Sequence, residues 1–186
     1  MNGAAPEAPV VRLAKTADVP ALSQFRCTPL AGPAPTYVQE VEDWFRTEAV
    51  RRAFNPRNQA DRIRLLVVED SKGLEASSVL MAAVAHGWMY DLNDRCVKVD
   101  MDAILLCAAA IATPFQGATI TEIGSRLSHF VIEAVLNDIA AHRPGTPIIG
   151  SVHRNNVRSR RLCDIFGLAY HCQPAWNKRF ETRRRP

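Results

Sequence analysis

The stretch that most constrains this chain lies in its second half. Residues 120 to 142 keep a helical period through Ile120, Ile123, Leu127, Phe130, Val131, Ala134, Val135 and Ile139. An apolar run stands on either side, Cys96 to Ala112 before it and Ile148 to His153 after it. Strand, long helix and strand in that order make a crossover: the strand twist lets the helix pack back onto the sheet in one hand only, so the two strands run parallel. The helix is predicted to start at Ile120, because Thr119 and Glu122 have capping-box spacing, and to stop before Pro144-Gly145.

The first half reads differently. Val10 to Ala14 is a short strand, Thr16 to Arg26 a helix capped by Thr16, and Tyr37 to Phe54 a better helix with Val41, Trp44, Phe45, Ala49 and Ala53 along one face. Ile63 to Glu69 and Val79 to Trp88 are apolar strands joined by a turn-forming Asp-Ser-Lys-Gly segment, so they predict a hairpin. After the central helix come a short helix, Asn156 to Phe166, stopped by Gly167, and two short strands, Ala169 to Cys172 and Trp176 to Phe180. The fold class is mixed α/β, hairpins first and crossovers later. At 186 residues, 47% hydrophobic and 23% charged, the chain makes one globular domain. We expect disorder over 1–9, the domain over 10–181 and a basic tail at 182–186.

Composition excludes several classes. The longest apolar run, Ala103 to Ala112, is ten residues, half of the roughly 20 a membrane helix needs. Met1 to Pro9 lacks the basic start and apolar stretch of a signal peptide. The five cysteines are odd in number and scattered, without a C-x-x-C pair, which speaks against a disulfide framework or a zinc knuckle and for a reducing cytoplasm. Net charge is +4, with Lys178, Arg179 and Arg183 to Arg185 at one end. Such a run is read first as a solvated tail and second as a guide for RNA.

Two segments bracket the central helix. Ala109 to Thr121 is a strand end, a loop with Gln116-Gly117 and a helix start, where unpaired amides and the helix dipole favour an anion. Val152 to Leu168 carries Val152-x-x-x-Asn156, then Ser159, Leu162 and Gly167-Leu168. Together they resemble the GNAT superfamily of N-acetyltransferases, over nearly the whole chain. The resemblance implies a central mixed, largely antiparallel sheet, split by a V-shaped cleft and flanked by about four helices. Acetyl-CoA would lie between the strand ending near Ile111 and the strand Ile148 to His153. Backbone groups of Ile111, Ala112 and Thr113 would pair with its pantetheine arm. Amides of Gln116, Gly117, Ala118, Thr119, Ile120 and Thr121 would hold the pyrophosphate, and Asn156 and Ser159 would approach from the far side. A primary amine would attack the thioester carbonyl directly, a backbone amide near Ile111 holding the oxyanion. The superfamily also brings the expectation of a homodimer.

The chain departs from the family at the loop and at the acid. Without a gap, Thr119 and Thr121 stand where the family has glycine or alanine. A gapped register instead matches Ile123-Gly124-Ser125-Arg126-Leu127 to the family's Ile-Gly-x-x-Leu, with a longer loop; the ungapped one is preferred because the helical period already includes Ile120. The family's proton-donating tyrosine falls on Cys163, whose thiol is the candidate acid or a small core residue. Asp100 and Asp102, two apart ahead of the apolar run, are candidate bases or a solvated strand edge; His86 and His153 are further candidates. Tyr37, Trp44, Trp88 and Tyr90 are candidates for the acceptor wall. The alternative function is a GNAT-like module that binds CoA or regulates without catalysing.

Overall fold

A computed structural model of the chain describes residues 9–29, 33–56, 62–70, 79–88, 103–172 and 179–186. Strand β1 (Val10–Leu13) leads through a 3-10 turn (Thr16–Asp18) into the short helix α1 (Val19–Ser23). The turn is set by Asp18, whose carboxylate accepts from Lys15 N–H at 2.6 Å and from Arg12, so Lys15 and not Thr16 stands at the cap. Helix α2 (Thr36–Trp44) runs through a π-helical turn (Phe45–Ala49) into α3 (Val50–Phe54), over the span the sequence predicts. Strands β2 (Ile63–Glu69), β3 (Leu80–Trp88) and β4 (Ile104–Ile111) then form an antiparallel meander.

A two-residue ladder of β5 (Thr119–Ile120) and β6 (Ser125–Arg126) precedes α4 (Leu127–His142). Next come β7 (Ile148–His153), α5 (Val157–Ile165), β8 (Ala169–Cys172) and β9 (Phe180–Arg185). The seven-stranded sheet has the order β1-β2-β3-β4-β7-β9-β8, and only β4–β7 is parallel. That is the mixed, largely antiparallel sheet that the resemblance implies; of the crossovers expected in the second half, only the one through α4 joins neighbouring strands.

Both faces of the sheet are covered, which is why the middle of β2, Leu65 to Val68, reads as unbroken apolar sequence. Leu66, Val68, Val84 and Ile104 pack with Leu127, Val131, Val135 and Ile139 of α4 on one face. Leu65, Val67, Ala83 and Ala85 pack with Leu22, Phe25, Phe45 and Ala49 on the other. No helix among the described residues is long and apolar enough to cross a membrane.

Two sequence expectations are corrected. The central helix begins at Leu127, seven residues beyond the expected Ile120. Ile120 is buried, but through the small hairpin rather than through a helix; Ile123, which the helical period would turn inward, is 52% exposed. Gly117 and Gly124 adopt φ of +82° and +62°, left-handed values that an α-helix excludes. The second correction concerns the basic tail, because residues 180–185 are a strand between β7 and β8. Thr182 and Arg183 are buried, and the Arg183 guanidinium is bound by Glu181 and Asp164.

Candidate functional site

The sheet parts between β4 and β7. Their ladder runs Ile104↔Ile148, Leu105↔Ile149 and Leu106↔Gly150 and then stops, while β4 stays on β3 to Ile111 and β7 stays on β9 to His153. A bulge in β4 marks the divergence: Leu106 pairs with His86 and Ala108 with Ala85, which leaves Cys107 as the extra residue. A bulge bends its strand and raises the local twist, so it steers the end of β4 away from β7. Ala112 N–H donates to Met81 at 2.8 Å, and by the two-residue alternation Ala108 and Ala110 also face β3. The N–H and C=O groups of Ala109 and Ile111 therefore point into the gap, and Ala109 is exposed in mid-strand.

The residues expected to hold a cofactor separate into groups. Ile111 lies on the gap edge, as described. Thr113 does not offer its backbone: its N–H donates to Arg26 at 2.8 Å and its carbonyl accepts from Gln116 N–H, while its hydroxyl donates to Thr28 at 2.6 Å. The Gln116 side chain is likewise spent, donating to Cys27 at 2.6 Å. These two residues fasten the segment after α1 to the loop after β4. Gly117 has open space where a Cβ would sit, a cradle that a ligand can approach. Ala118 closes the loop by accepting from Leu127 N–H at 3.0 Å. Thr119 and Thr121 are exposed and Ile120 is core, so these three do not belong to a helix start. The amides without an intrahelical acceptor are instead those of Ser128 and His129 in the first turn of the 16-residue α4, which has no side-chain cap. The helix position agrees with the gapped register, in which Gly124 and Leu127 match the family pattern.

Asn156 caps α5, its Oδ1 accepting from Ser159 N–H at 3.1 Å, so the spacing of this pair has a local structural cause. Cys163 packs against the α4 core, and burial pushes its thiol up to about 11. A thiol held that high parts with its proton less readily than a free cysteine, which weakens the acid role suggested by its position. Asp100 and Asp102 lie outside the described residues, as does Tyr90.

Both candidate histidines have hydrogen-bond partners. His86 is buried in β3, its Nε2 is 2.7 Å from Asp138 Oδ2, and burial lowers its pKa. It belongs to a network with Arg64 under the end of α4, away from the gap. His153, at the end of β7, accepts at Nδ1 from Asn155 N–H at 3.2 Å. Its ring stacks on Tyr37 (centroids 4.3 Å apart, 16° between planes) and meets Phe180 edge-on at 5.2 Å.

Tyr37 and His153 both line a cavity of about 820 Å³ between the start of α2 and the ends of β7 and β9. Val38 and Val41 of α2 and Cys107, Ala108 and Ala110 of β4 pack against the same apolar cluster, while Tyr37 reaches β7. Of the acceptor-wall candidates, Tyr37 lines the cavity, whereas Trp44 packs edge-on against Phe45. Sequence reading missed Glu40 and Arg160 here; Glu40 shares a helix turn with Tyr37, the only signal that pointed to it.

No family model matches the sequence, and no curated protein resembles it in sequence. Solved structures do resemble it in fold. A chain of Bordetella pertussis assigned to the GNAT-family acetyltransferases superposes with a TM-score of 0.63 at 15% identity, covering 97% of each chain. A chimera built on the spermidine N-acetyltransferase of Vibrio cholerae gives 0.59 at 14%, over 95% of this chain and 93% of that one. An N-acetyltransferase of Thermoplasma acidophilum, solved with coenzyme A, gives 0.58 at 11%, over 96% and 98%. The split sheet, the crossover through α4 and these superpositions agree: the chain has the fold of the GNAT acetyltransferases.

Proposed function

We propose that this protein is an acetyl-CoA-dependent N-acetyltransferase. The observation that carries the reading is the end of the β4–β7 ladder at Leu106↔Gly150, beyond which Ala109 and Ile111 turn toward the gap backbone groups that have no strand partner among the described residues. Such an edge accepts an extended amide-bearing arm as it would accept another strand. Gly117 leaves room for close approach, and the first turn of α4 offers amides and a positive dipole end to a phosphate. When bound, acetyl-CoA supplies an activated acetyl thioester. The chain's part is to hold that arm along β4, to present N–H groups of the gap edge to the carbonyl oxygen, and to bring the amine in through the cavity beside His153. Asp100 and Asp102, just ahead of β4, are proposed to take the amine's proton. That likeness in fold includes a coenzyme A complex of another protein supports the choice of cosubstrate.

One observation favours the second reading, a binding module without turnover: the tyrosine position of the family holds Cys163, packed and protonated. Two measurements on the same protein decide. Acetyl-CoA at a hundredfold its Kd should stabilise the fold by about 2.7 kcal/mol, which raises the melting temperature by about 5–10 °C in a domain of this size. Release of free thiol with an amine present should then follow. A shift without thiol release from any amine leaves the module, and no shift at millimolar acetyl-CoA removes both.

A further inference from the structure

The loop after β4 and helix α2 are tied to each other at one dipeptide, Cys27–Thr28, and what that tie does rests on the transferase reading above. All four backbone polar groups of the dipeptide are engaged. From one side Glu42 Oε2, on α2, accepts from both its N–H groups, at 2.8 and 3.0 Å. From the other, Gln116 Nε2 donates to the Cys27 carbonyl and the Thr113 hydroxyl to the Thr28 carbonyl, each at 2.6 Å. Thr113 N–H adds a bond to the neighbouring Arg26 carbonyl at 2.8 Å. Each side of this clamp continues into a fixed element. Thr113 stands two residues beyond Ile111 on the gap edge, with Ala112 buried between them and bonded to Met81 of β3. Glu42 shares the nine-residue α2 with Tyr37, which lines the cavity. Gln116 is exposed and Thr113 half-buried, so these two side chains serve the clamp more than the core.

We infer that Thr113 and Gln116 are positioning residues for the transfer. Through Cys27–Thr28 and Glu42 they hold the gap edge at a fixed distance from α2, and so set how a thioester carbonyl on that edge meets an amine that enters past Tyr37. Reacting atoms must come within about 3–3.5 Å, and a misplacement of about 1 Å costs about a hundredfold in rate. In the transfer, the acceptor nitrogen bonds to the acetyl carbonyl carbon as the carbon–sulfur bond breaks. Of the ammonium's three protons, one stays on the new amide, one ends on the thiol and one goes to solvent. Neither residue donates or accepts in that exchange; each acts through the backbone it grips. Loss of either bond leaves the donor's own contacts along β4 in place and spoils the alignment, an effect on kcat rather than on donor affinity.

The test uses the full chain with acetyl-CoA and reads thiol release, the acceptor being whichever of spermidine, lysine and trialanine is turned over fastest. Thr113→Val keeps the shape and removes the hydroxyl, and Gln116→Met keeps the length and removes the donor. Each should lower kcat by about tenfold or more, while the acetyl-CoA Kd, read from the melting shift, stays within about threefold. Thr113→Ser keeps the hydroxyl and should recover most of the rate, which a merely structural role for the side chain does not require. The double variant should lose little more than the worse single one, because both bonds hold the same dipeptide. Should Gln116→Met fold poorly, Gln116→Glu is equally long and likewise has no donor to offer. An unchanged kcat in both Thr113→Val and Gln116→Met overturns the inference, as does an equal fall in acetyl-CoA affinity, or a Thr113→Ser as slow as Thr113→Val. Binding of acetyl-CoA without turnover of any of the three amines also overturns it. Absence of the melting shift in the unaltered protein is a separate result that overturns the transferase reading itself.

Discussion

At the residue scale, a single buried carboxylate holds the gap's entrance in shape. Glu42 is 4% exposed and accepts from Cys27 N–H at 2.8 Å and Thr28 N–H at 3.0 Å, with Arg26 at 3.2 Å. Burial works to raise its pKa, but these donors together bring it below the usual 4.5. Thr113 and Gln116 grip the same Cys27–Thr28 segment from the other side. A carboxylate with a lowered pKa stabilises the fold above its ordinary value, and that contribution is lost as pH falls through the folded one. Glu42→Gln should therefore cost about 1–3 kcal/mol at pH 7. The loss is read as a lower urea midpoint, and the difference should shrink below pH 4.5. Nothing in the sequence marks Glu42, because Glu40, Glu42 and Asp43 look alike until the chain folds over one of them. Asn156 was legible because capping is local, yet for the same reason its spacing to Ser159 needs no ligand to explain it.

At the scale of elements, α4 is held to the sheet by charge as well as by its apolar stripe. Arg64 binds Asp138 through two nitrogens at 2.8 Å each, and His86 joins at 2.7 Å. Burial opposes ionisation of Asp138, yet Arg64 and His86 hold its pKa down to about 2. His86, by contrast, is kept neutral by burial, and its Nδ1 has no partner among the described residues. Both groups titrate below their unfolded values, so both contributions fade on the acid side, His86's below about 6.5 and Asp138's below about 3.8. Asp138→Asn leaves Arg64 beneath the helix without its counter-charge and should cost about 2–3 kcal/mol, read as a lower melting temperature at pH 7. Unfolding measured against pH should show the wild type weakening from pH 6.5 downward; a flat profile to pH 4 would contradict this. The helix itself was visible in its period, but its start was not. Ile120 is buried in either arrangement, so the burial signal could not separate a helical turn from a two-residue ladder. The glycines at 117 and 124 carried that information.

For the whole molecule, the sequence was most informative about order and least about its last strand. The apolar runs and the helix between β4 and β7 predict a parallel pair, and the resemblance a largely antiparallel sheet around it; the topology has both. An arginine run reads as a solvated surface because sequence shows charge and not the carboxylates that meet it across space. A chain ending at Glu181 should show this directly. It loses all of β9 beyond Glu181 and leaves Glu181 without Arg183, a break of a buried pair that costs about 3–5 kcal/mol. Circular dichroism on heating should then show a weakened or absent cooperative transition, whereas a melt equal to the parent's would mean that the strand is dispensable. The place of β9 has one more consequence. It follows β8 along the chain yet lies inside it, against β7, so β8 meets the sheet only through a strand made later. Folding must therefore pass through a stage in which β7 offers a bare edge, and whichever partner takes that edge first decides between the native sheet and association of one molecule with another.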